Sequence, residues 1–176
     1  MNRTVTLTDD TGSPKGEMEI IAAHTNGGTL HRAISVYVFD AQKEVILLQQ
    51  RADKFLFAGI WANTCCSHPF PGEDAKAAGE RRLMEEMNFG CSLKEGPAFV
   101  YRADDPKGKG TEYEYDIILT GIADPTMPIE PNPEEVADWK WMEINELKKD
   151  MEQNPTIYAP WFHLGLPKAL SFINHA

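Results

Sequence analysis

The sequence predicts an α/β or α+β fold in one domain, with a mixed β-sheet and helices interspersed between its strands. Two kinds of segment predict this architecture: short runs rich in β-branched and aromatic residues, and longer runs rich in alanine, glutamate, arginine and leucine. The 176 residues contain no internal repeat or low-complexity linker. Because a chain of this length is typical of one domain with a sizeable core, we expect residues 1–176 to form a single domain.

Six segments have the composition of β-strands. The strongest spans 33–39, and a turn leads from it into a second strand over 45–50, which we expect to be its antiparallel neighbour. Two further strands are joined by the polar loop 104–110, and the remaining two are a short N-terminal strand and a weaker one later in the chain. These four strands are predicted at 5–7, 99–102, 112–120 and 136–144.

Two helices are predicted in the body of the chain. The clearer one spans 73–89 and is rich in residues that favour helices, and Gly90 is predicted to end it. The shorter one spans 145–153, and Asn145 is a suitable N-cap. Both lie between predicted strands, as a layered mixed fold requires.

The C-terminal segment is also predicted to be helical, over residues 159–174. Pro160 suits its first turn, where the missing N–H has no partner to lose. Pro167 lies inside the segment, so we expect it to kink or divide the helix.

The charge balance narrows the classes of partner. The chain has 27 Asp and Glu against 17 Lys and Arg, a formal net charge of −10. Nucleic acid and anionic membranes both require a basic face, so we expect neither as a partner. The first ten residues lack the apolar core of a signal peptide, and no run approaches the ~20 apolar residues of a membrane span. Three cysteines, two of them adjacent, make a poor disulfide framework, so the sequence favours a cytoplasmic location with reduced thiols.

Two histidines flank a loop that contains a pair of glycines. The chain can fold back there, so that His24 and His31 face one point. His68 is a candidate third ligand, and Glu112 and Glu114 lie two residues apart on a predicted strand and therefore on one face of it. Three imidazoles and two carboxylates suit a divalent metal such as Mn²⁺, Zn²⁺ or Mg²⁺. The alternative is that the two glutamates lie on a solvated strand face.

A thiol lies two residues before His68 in the run Cys-Cys-Ser-His-Pro. In an extended segment Cys66 and His68 share a face, whereas Cys65 points the other way, toward a core. Cys66 is therefore a candidate nucleophile or acid/base, and the alternative is a small buried apolar residue.

The predicted helix over 73–89 places Arg82 and Glu86 four residues apart, on one face. A carboxylate there can bind a metal ion, and a guanidinium can bind a phosphate with two hydrogen bonds. Arg51 and Lys54, which follow the second strand, could join the same anion site. The alternative is a charged helix face exposed to solvent.

Together these segments resemble the type I isopentenyl-diphosphate isomerases, a branch of the Nudix fold. The likeness covers most of the chain in order, and a Cys-Ser-His-Pro element combined with a histidine pair and a glutamate pair is highly specific. The matching stretches are 22–25, 30–33, 63–69, 101–103, 112–114 and 160–162. The resemblance implies a Nudix-like domain, with a mixed β-sheet sandwiched between helices.

The Nudix box is degenerate in this chain. A hydrolase box reads Gly-x5-Glu-x7-Arg-Glu-apolar-x-Glu-Glu-x-Gly, and here Ser67 and Asn88 replace the two glycines. Arg82 stands where a hydrolase has a metal-binding glutamate. Losing that carboxylate should weaken a metal cluster that activates water, whereas a cation favours holding a diphosphate intact. The departure argues against the alternative activity, a Nudix hydrolase acting on a diphosphate-containing substrate.

The resemblance implies conversion of isopentenyl diphosphate to dimethylallyl diphosphate, by adding a proton to one end of an alkene and removing one from another carbon. Cys66 and Glu114 would be the acid and base on opposite faces, with Tyr101 hydrogen-bonding near Glu114. Trp161 would offer a π-face to the positive charge that develops. A metal-binding structural module would explain the histidines and carboxylates but not the thiol, the tyrosine and the tryptophan.

The resemblance also assigns the cofactors and the substrate contacts. One metal site, for Mn²⁺ or alternatively Zn²⁺ or Mg²⁺, would be formed by His24, His31, His68, Glu112 and Glu114. Glu86 would hold a Mg²⁺ that bridges to the diphosphate, and Arg51, Lys54 and Arg82 match positions that contact the phosphates.

One position departs from this pattern. Some relatives place a basic residue four positions before the first histidine, and Ile20 stands there in this chain. Either Lys15 or Arg32 takes over that role, or one phosphate contact is missing.

Overall fold

The computed structural model describes residues 3–53 and 55–175, so the predicted anion-site residue Lys54 lies outside the described residues. The strands are β1 (Thr4–Thr8), β2 (Pro14–Glu19), β3 (His31–Phe39), β4 (Val45–Arg51), β5 (Trp61–Ala62), β6 (Cys65–Ser67), β7 (Leu93–Asp104), β8 (Thr111–Ile122) and β9 (Val136–Glu143). The helices are α1 (Ile20–His24), α2 (Ala75–Met87), α3 (Ile144–Gln153) and α4 (Pro160–His175), with a 3₁₀ turn at Pro155–Ile157.

Strand β3 lies at the centre of the sheet. It pairs antiparallel with β1, β4 and β6 and parallel with β8, while β7 extends the sheet beyond β8. The predicted antiparallel pairing with β4 is confirmed, although β4 pairs over a longer stretch with β9. Ser35 lies opposite Cys66 on one edge of β3, and His31 lies opposite Glu114 on the other. Cys66 and Glu114 therefore lie on two strands, β6 and β8, that pair with β3 from opposite sides.

The side chains of β3 alternate between two cores. Tyr37 and Phe39 pack into a core shared with α3 and α4, and Ile34, Val36 and Val38 pack into a second core shared with α2. Each such buried side chain stabilises the fold by about 1.5–3 kcal/mol relative to exposure. The predicted fold class, a mixed sheet sandwiched between helices, is confirmed.

The predicted end of the second helix at Gly90 is wrong. Helix α2 ends two residues earlier, because Asn88 adopts a left-handed conformation (φ 56°) and its N–H bonds to the carbonyl of Met84. Asparagine tolerates this region better than most residues and therefore ends the helix before the glycine is reached. At the other end Asp74 is the N-cap, and its carboxylate accepts from the N–H of Ala77 at 3.0 Å.

The predicted cap of the third helix is also wrong. The carboxylate of Glu143, and not Asn145, accepts from the N–H of Glu146 at 2.8 Å, because α3 begins one residue earlier than predicted. In the last helix, α4 continues past Pro167 as one element, so the expected division at that residue does not occur. No helix within the described ranges is both long and apolar enough to cross a bilayer.

Candidate active site

Five predicted ligands converge on one point at the N-terminal end of β3. His24 is the last residue of α1, His31 opens β3, His68 follows β6, and Glu112 and Glu114 project from β8. One nitrogen or oxygen atom from each side chain lies within 4.8 Å of all the others. The predicted convergence is confirmed. The two glutamates are only 6% exposed, so the alternative of a solvated strand face is wrong.

The hydrogen bonds of the imidazoles show that this cluster suits a divalent cation. The Nδ1 atoms of His24 and His31 lie 2.6 and 2.7 Å from the backbone carbonyls of Ile20 and Thr29, which can only accept, so each Nδ1 carries a proton. Each Nε2 atom is turned toward the cluster. Burial opposes the charged form of His24, but the hydrogen bond and charge of Glu112 raise its pKa to about 9, so a metal binding at this Nε2 displaces a proton. Backbone carbonyls that fix the tautomer in this way are typical of metal-binding histidines.

Contacts inside the cluster place electron-rich atoms close together. His24 Nε2 lies 2.8 Å from Glu112 Oε2, His31 Nε2 lies 3.1 Å from His68 Nε2, and His68 Nε2 lies 2.7 Å from Glu114 Oε1. Burial lowers the pKa of His68 to about 3, which keeps it in the neutral form that binds metals. Burial and the charge of Glu114 raise the pKa of Glu112, and a cation between these groups would relieve that repulsion.

The Cys66 thiol lies in a second group of side chains beside the cluster. Its S–H donates to Asn63 Oδ1 at 3.1 Å. The indole N–H of Trp161 lies 3.1 Å from Asn63 Oδ1 and 3.1 Å from the sulfur of Cys66, and both atoms can accept from it. The amide of Asn63 donates to the carbonyls of Val36 and Cys65, which fixes its orientation. Burial raises the pKa of the Cys66 thiol to about 12, so it is protonated at neutral pH. Cys65 lies in the core, as expected from the alternation along the strand.

Tyr101 connects this group to the metal cluster. Its hydroxyl donates to Glu114 Oε2 at 2.5 Å, and its ring centroid lies 6.0 Å from that of Trp161. Burial raises the pKa of Tyr101 well above its usual value, so the hydroxyl remains a donor. Burial opposes the charge of Glu114, but the imidazoles of His31 and His68 beside it hold its pKa well below the usual range.

A cavity of about 240 Å³ opens beside these groups. Its lining includes Cys66 and His68 and three guanidinium groups, those of Arg3, Arg51 and Arg82. Arg51 is buried, donates to the carbonyl of Leu56 at 3.1 Å, and lies 5.4 Å from the Trp161 ring centroid. Two of the predicted phosphate contacts, Arg51 and Arg82, therefore share one cavity with the thiol.

Arg82 and Glu86 form a buried ion pair, so the alternative of a helix face exposed to solvent is wrong for them. Arg82 Nη2 lies 2.6 Å from Glu86 Oε1 and 2.9 Å from Glu135 Oε1, and Arg82 Nη1 lies 2.6 Å from Glu85 Oε2. The side-chain amide of Gln49 donates to the other oxygen of Glu86 at 3.2 Å. Carboxylates thus surround Arg82.

Sequence reasoning missed three residues of this region: Arg3, Asn63 and Glu135. Asn63 lies inside a stretch already recognised as matching, and its complete burial next to a reactive side chain distinguishes it. Arg3 and Glu135 carry no local signal, since each reaches the cavity from a segment without a motif. Only the folded chain brings them to the site.

Comparison with known proteins identifies the class of protein that this fold and metal cluster define. The NUDIX domain family model matches residues 29–162. A solved structure from Deinococcus radiodurans superposes with a TM-score of 0.68 at 15% identity, covering 86% of this chain and 90% of that one. The chain is therefore a member of the NUDIX family.

Curated relatives narrow the assignment further. An isopentenyl-diphosphate Delta-isomerase from Halorhodospira halophila is 45% identical over 159 residues, which is 90% of each chain. Another from Nocardia farcinica is 41% identical over 157 residues, covering 89% of each chain. This chain belongs to the isopentenyl-diphosphate Delta-isomerase family.

Proposed function

We propose that this protein is an isopentenyl-diphosphate Delta-isomerase that converts isopentenyl diphosphate into dimethylallyl diphosphate. The observation that carries the proposal is that the Cys66 thiol and the Glu114 carboxylate lie on β6 and β8, which pair with β3 from opposite sides. Moving a double bond by one position requires one proton to be added and another removed. A single acid or base cannot do both on opposite faces of an alkene.

Cys66 and Glu114 act as the proton-transferring pair in this proposal. The S–H of Cys66 is oriented by Asn63 and Trp161, and the carboxylate of Glu114 by Tyr101 and His68. Adding a proton to the terminal alkene carbon leaves a tertiary cation, and removing one from the neighbouring methylene forms the internal double bond. The proton count of the substrate is unchanged, as isomerisation demands.

The aromatic side chains stabilise the positive charge that develops between these two steps. Trp161 packs edge to face with Phe57 and close to Tyr101, so its indole has a fixed position beside the thiol. A cation over an indole face in a dry pocket is stabilised by about 2 kcal/mol. Phe57, Tyr101 and Trp161 are all buried, so a cation beside this aromatic cluster is kept from water, which would otherwise trap it.

Two metal sites complete the proposal. His24, His31, His68, Glu112 and Glu114 would hold Mn²⁺, or alternatively Zn²⁺ or Mg²⁺. When bound, that ion supplies a fixed positive charge that keeps Glu114 ionised and oriented. Glu86 would hold a Mg²⁺ that accompanies the diphosphate, and its position between Arg82 and Gln49 supports this role.

Arg51, Lys54 and Arg82 contact the diphosphate in this proposal. The support for Arg51 and Arg82 is that both line the cavity that also contains Cys66. A guanidinium can form two parallel hydrogen bonds to a phosphate, which fixes the substrate's orientation as well as its charge. The hydrocarbon end is thereby directed toward the thiol.

Turnover of isopentenyl diphosphate in D₂O with Mg²⁺ and Mn²⁺ tests the function. We expect dimethylallyl diphosphate carrying deuterium, observed by NMR and mass spectrometry, and no free phosphate. Release of phosphate or diphosphate would instead identify the hydrolase alternative. If neither product formed although metal was bound, the enzymatic proposal would be overturned, and a metal-binding structural module would be the remaining alternative.

We also propose that residues 1–176 act as one domain in the cytoplasm, with an isoprenyl diphosphate as the partner rather than nucleic acid or a membrane. Two apolar cores on the two faces of one sheet support a single domain. Cys65, Cys66 and Cys91 are all free thiols, in keeping with a reducing compartment.

A further inference from the structure

Arg3 lies just before β1 and is the guanidinium group of the cavity that the sequence did not indicate. It lines the cavity together with Arg51, Arg82 and Ile20. The carbonyl oxygen of Arg3 accepts a hydrogen bond of 2.9 Å from the N–H of Ile20, so the two backbones are in contact. The side chain of Arg3 therefore reaches the cavity from beside the position at which some relatives carry a basic residue.

Both cations expected from the sequence to replace that basic residue lie elsewhere. The Nζ of Lys15 pairs with Asp9 at 2.8 Å on the exposed β1–β2 turn. Arg32 donates to the carbonyl of Gly12 at 3.0 Å. Neither residue lines the cavity, so of the described residues only Arg3 brings a third guanidinium to it.

The contacts of Arg3 leave its positive charge available. Its Nη2 donates to the carbonyl of His68 at 2.8 Å and to the hydroxyl of Ser67 at 3.0 Å, both neutral acceptors. Its buried Nε has no hydrogen-bond partner among the described residues. In the described part of the chain no carboxylate lies within ion-pair distance of this guanidinium, whereas Arg82 contacts three of them.

The electrostatic setting of Arg3 is that of a group awaiting an anion. Burial, together with the positive charges of Arg82 and Arg81, lowers its pKa below the usual value of a guanidinium, and the more distant charges of Glu85 and Glu135 offset this only in part. Carboxylates already contact Arg82, whereas the contacts given for Arg3 in the described part of the chain are with neutral acceptors, so an anion in the cavity would be attracted most directly by Arg3. A diphosphate with its Mg²⁺ supplies that negative charge.

We propose that Arg3 binds the diphosphate of the substrate and replaces the basic residue that is absent at Ile20. This proposal rests on the proposed function for the identity of the substrate, but the anion contact itself does not depend on isomerisation. The same guanidinium holds the backbone carbonyl of His68, so it joins the phosphate end of the cavity to the segment that carries Cys66.

Arg3→Gln tests the proposal, with Lys15→Gln as the control because it removes a nearby cation that lies outside the cavity. We expect the KM for isopentenyl diphosphate to rise about ten- to a hundredfold in Arg3→Gln, with kcat changed less than about twofold. Binding of inorganic diphosphate with Mg²⁺, followed by titration calorimetry, should weaken by a similar factor. Lys15→Gln should leave both quantities unchanged.

A second variant separates a phosphate contact from a structural role. In the double variant Arg3→Gln/Ile20→Lys, the lysine reaches the same cavity, and we expect it to restore most of the lost diphosphate affinity. An unchanged KM and diphosphate affinity in Arg3→Gln would overturn the proposal. So would a loss of kcat and of bound metal that Ile20→Lys does not restore, since that pattern indicates that Arg3 only supports His68.

These experiments also distinguish a failure of the Arg3 proposal from a failure of the proposed isomerase function. If the protein turned over no isopentenyl diphosphate, diphosphate binding by the two variants would still decide whether Arg3 contacts the anion. Conversely, normal isomerisation and unchanged diphosphate binding by Arg3→Gln would support the isomerase function and show that Arg3 does not contact the diphosphate.

Discussion

The thiol of Cys66 is held in one orientation by two neighbours. Asn63 Oδ1 accepts a hydrogen bond from its S–H, and the indole N–H of Trp161 donates to its sulfur, so both the hydrogen and the lone pairs have preferred directions. Asn63 is itself locked by two backbone carbonyls. Because these neighbours hold the sulfur in place, only the S–H has to turn from Asn63 toward a substrate before a proton is exchanged, which lowers the cost of the transition state.

Cys66→Ala should abolish formation of dimethylallyl diphosphate, lowering turnover by about three orders of magnitude or more, because alanine removes a proton-transferring group. The fold and the metal content should be retained, as measured by circular dichroism and elemental analysis. Cys91→Ala is the matched control and should keep near-normal turnover, since Cys91 packs against the α2 core away from the cavity. Near-normal turnover by Cys66→Ala would contradict its acid/base role.

The protonation of Cys66 can be followed by alkylation in protein stripped of metal with a chelator. Burial raises its pKa to about 12, so the reactive thiolate is a fraction of about 10⁻⁴ at pH 8. Between pH 7 and pH 10 the rate of alkylation by iodoacetamide, mapped to Cys66 by mass spectrometry, should rise about tenfold per pH unit without levelling. A plateau below pH 9 would show that the thiol ionises far more easily than its surroundings indicate.

At the scale of elements, the metal ligands depend on close contact between α1 and the turn that joins β7 to β8. Gly110 lies immediately before β8, and a Cβ added there would lie 2.6 Å from the carbonyl oxygen of His24 and 3.1 Å from a methyl carbon of Leu56. The first contact is with backbone, which cannot move aside without displacing the end of α1. The missing side chain at Gly110 therefore allows His24 to reach Glu112.

Gly110→Ala should lower the free energy of unfolding by about 1–3 kcal/mol, measured by urea denaturation, because the added methyl group forces the backbone apart. It should also weaken metal binding, since the position of His24 shifts. Gly90→Ala is the control: its Cβ would meet only a methionine methyl group at 3.5 Å, an ordinary contact. Equal stability of the two variants would show that the turn and α1 are not tightly packed.

Elements with strong local signals were predicted correctly. The β-branched run of β3 and the long helix α2 have compositions that few other structures accommodate. The short elements β2, β5, β6 and α1 were not predicted, because two to six residues carry too little pattern to distinguish a strand or a helix from a loop. Helix ends were also misplaced, since Asn88 and Glu143 compete with equally suitable neighbours for the capping position.

At the scale of the whole molecule, the metal cluster joins α1, β3, β8 and the segment after β6. The buried carboxylates Glu112 and Glu114 repel each other without a cation, and Glu112 bears the cost as a raised pKa. A divalent ion bound by five side chains from four segments should therefore stabilise the fold as well as the site.

Removal of metal should lower the melting temperature. A ligand at about a thousand times its dissociation constant stabilises the folded state by about 4 kcal/mol, which corresponds to roughly 10 °C for a chain of this size. We expect a decrease of this order in a chelator and recovery on adding Mn²⁺ or Zn²⁺, measured by differential scanning calorimetry. A variant such as Glu112→Ala, which keeps four of the five ligands, should show a smaller metal-dependent change. An unaltered melting temperature in the wild type would contradict a structural contribution of the metal.

The amino-acid sequence by itself determined which chemical groups are available to this protein. They are imidazoles and carboxylates at metal-binding spacing, a thiol two residues from a histidine, and the two arginines Arg51 and Arg82, which can bind phosphate. Local spacing predicts such groups because residues two apart on a strand, or four apart on a helix, share a face. Only the tertiary structure decided which of these groups meet. Sheet register joins residues 88 positions apart in His24 and Glu112, and 65 positions apart in Arg3 and His68. Distances of that kind depend on how β3 pairs with its neighbours, and no local pattern encodes this pairing.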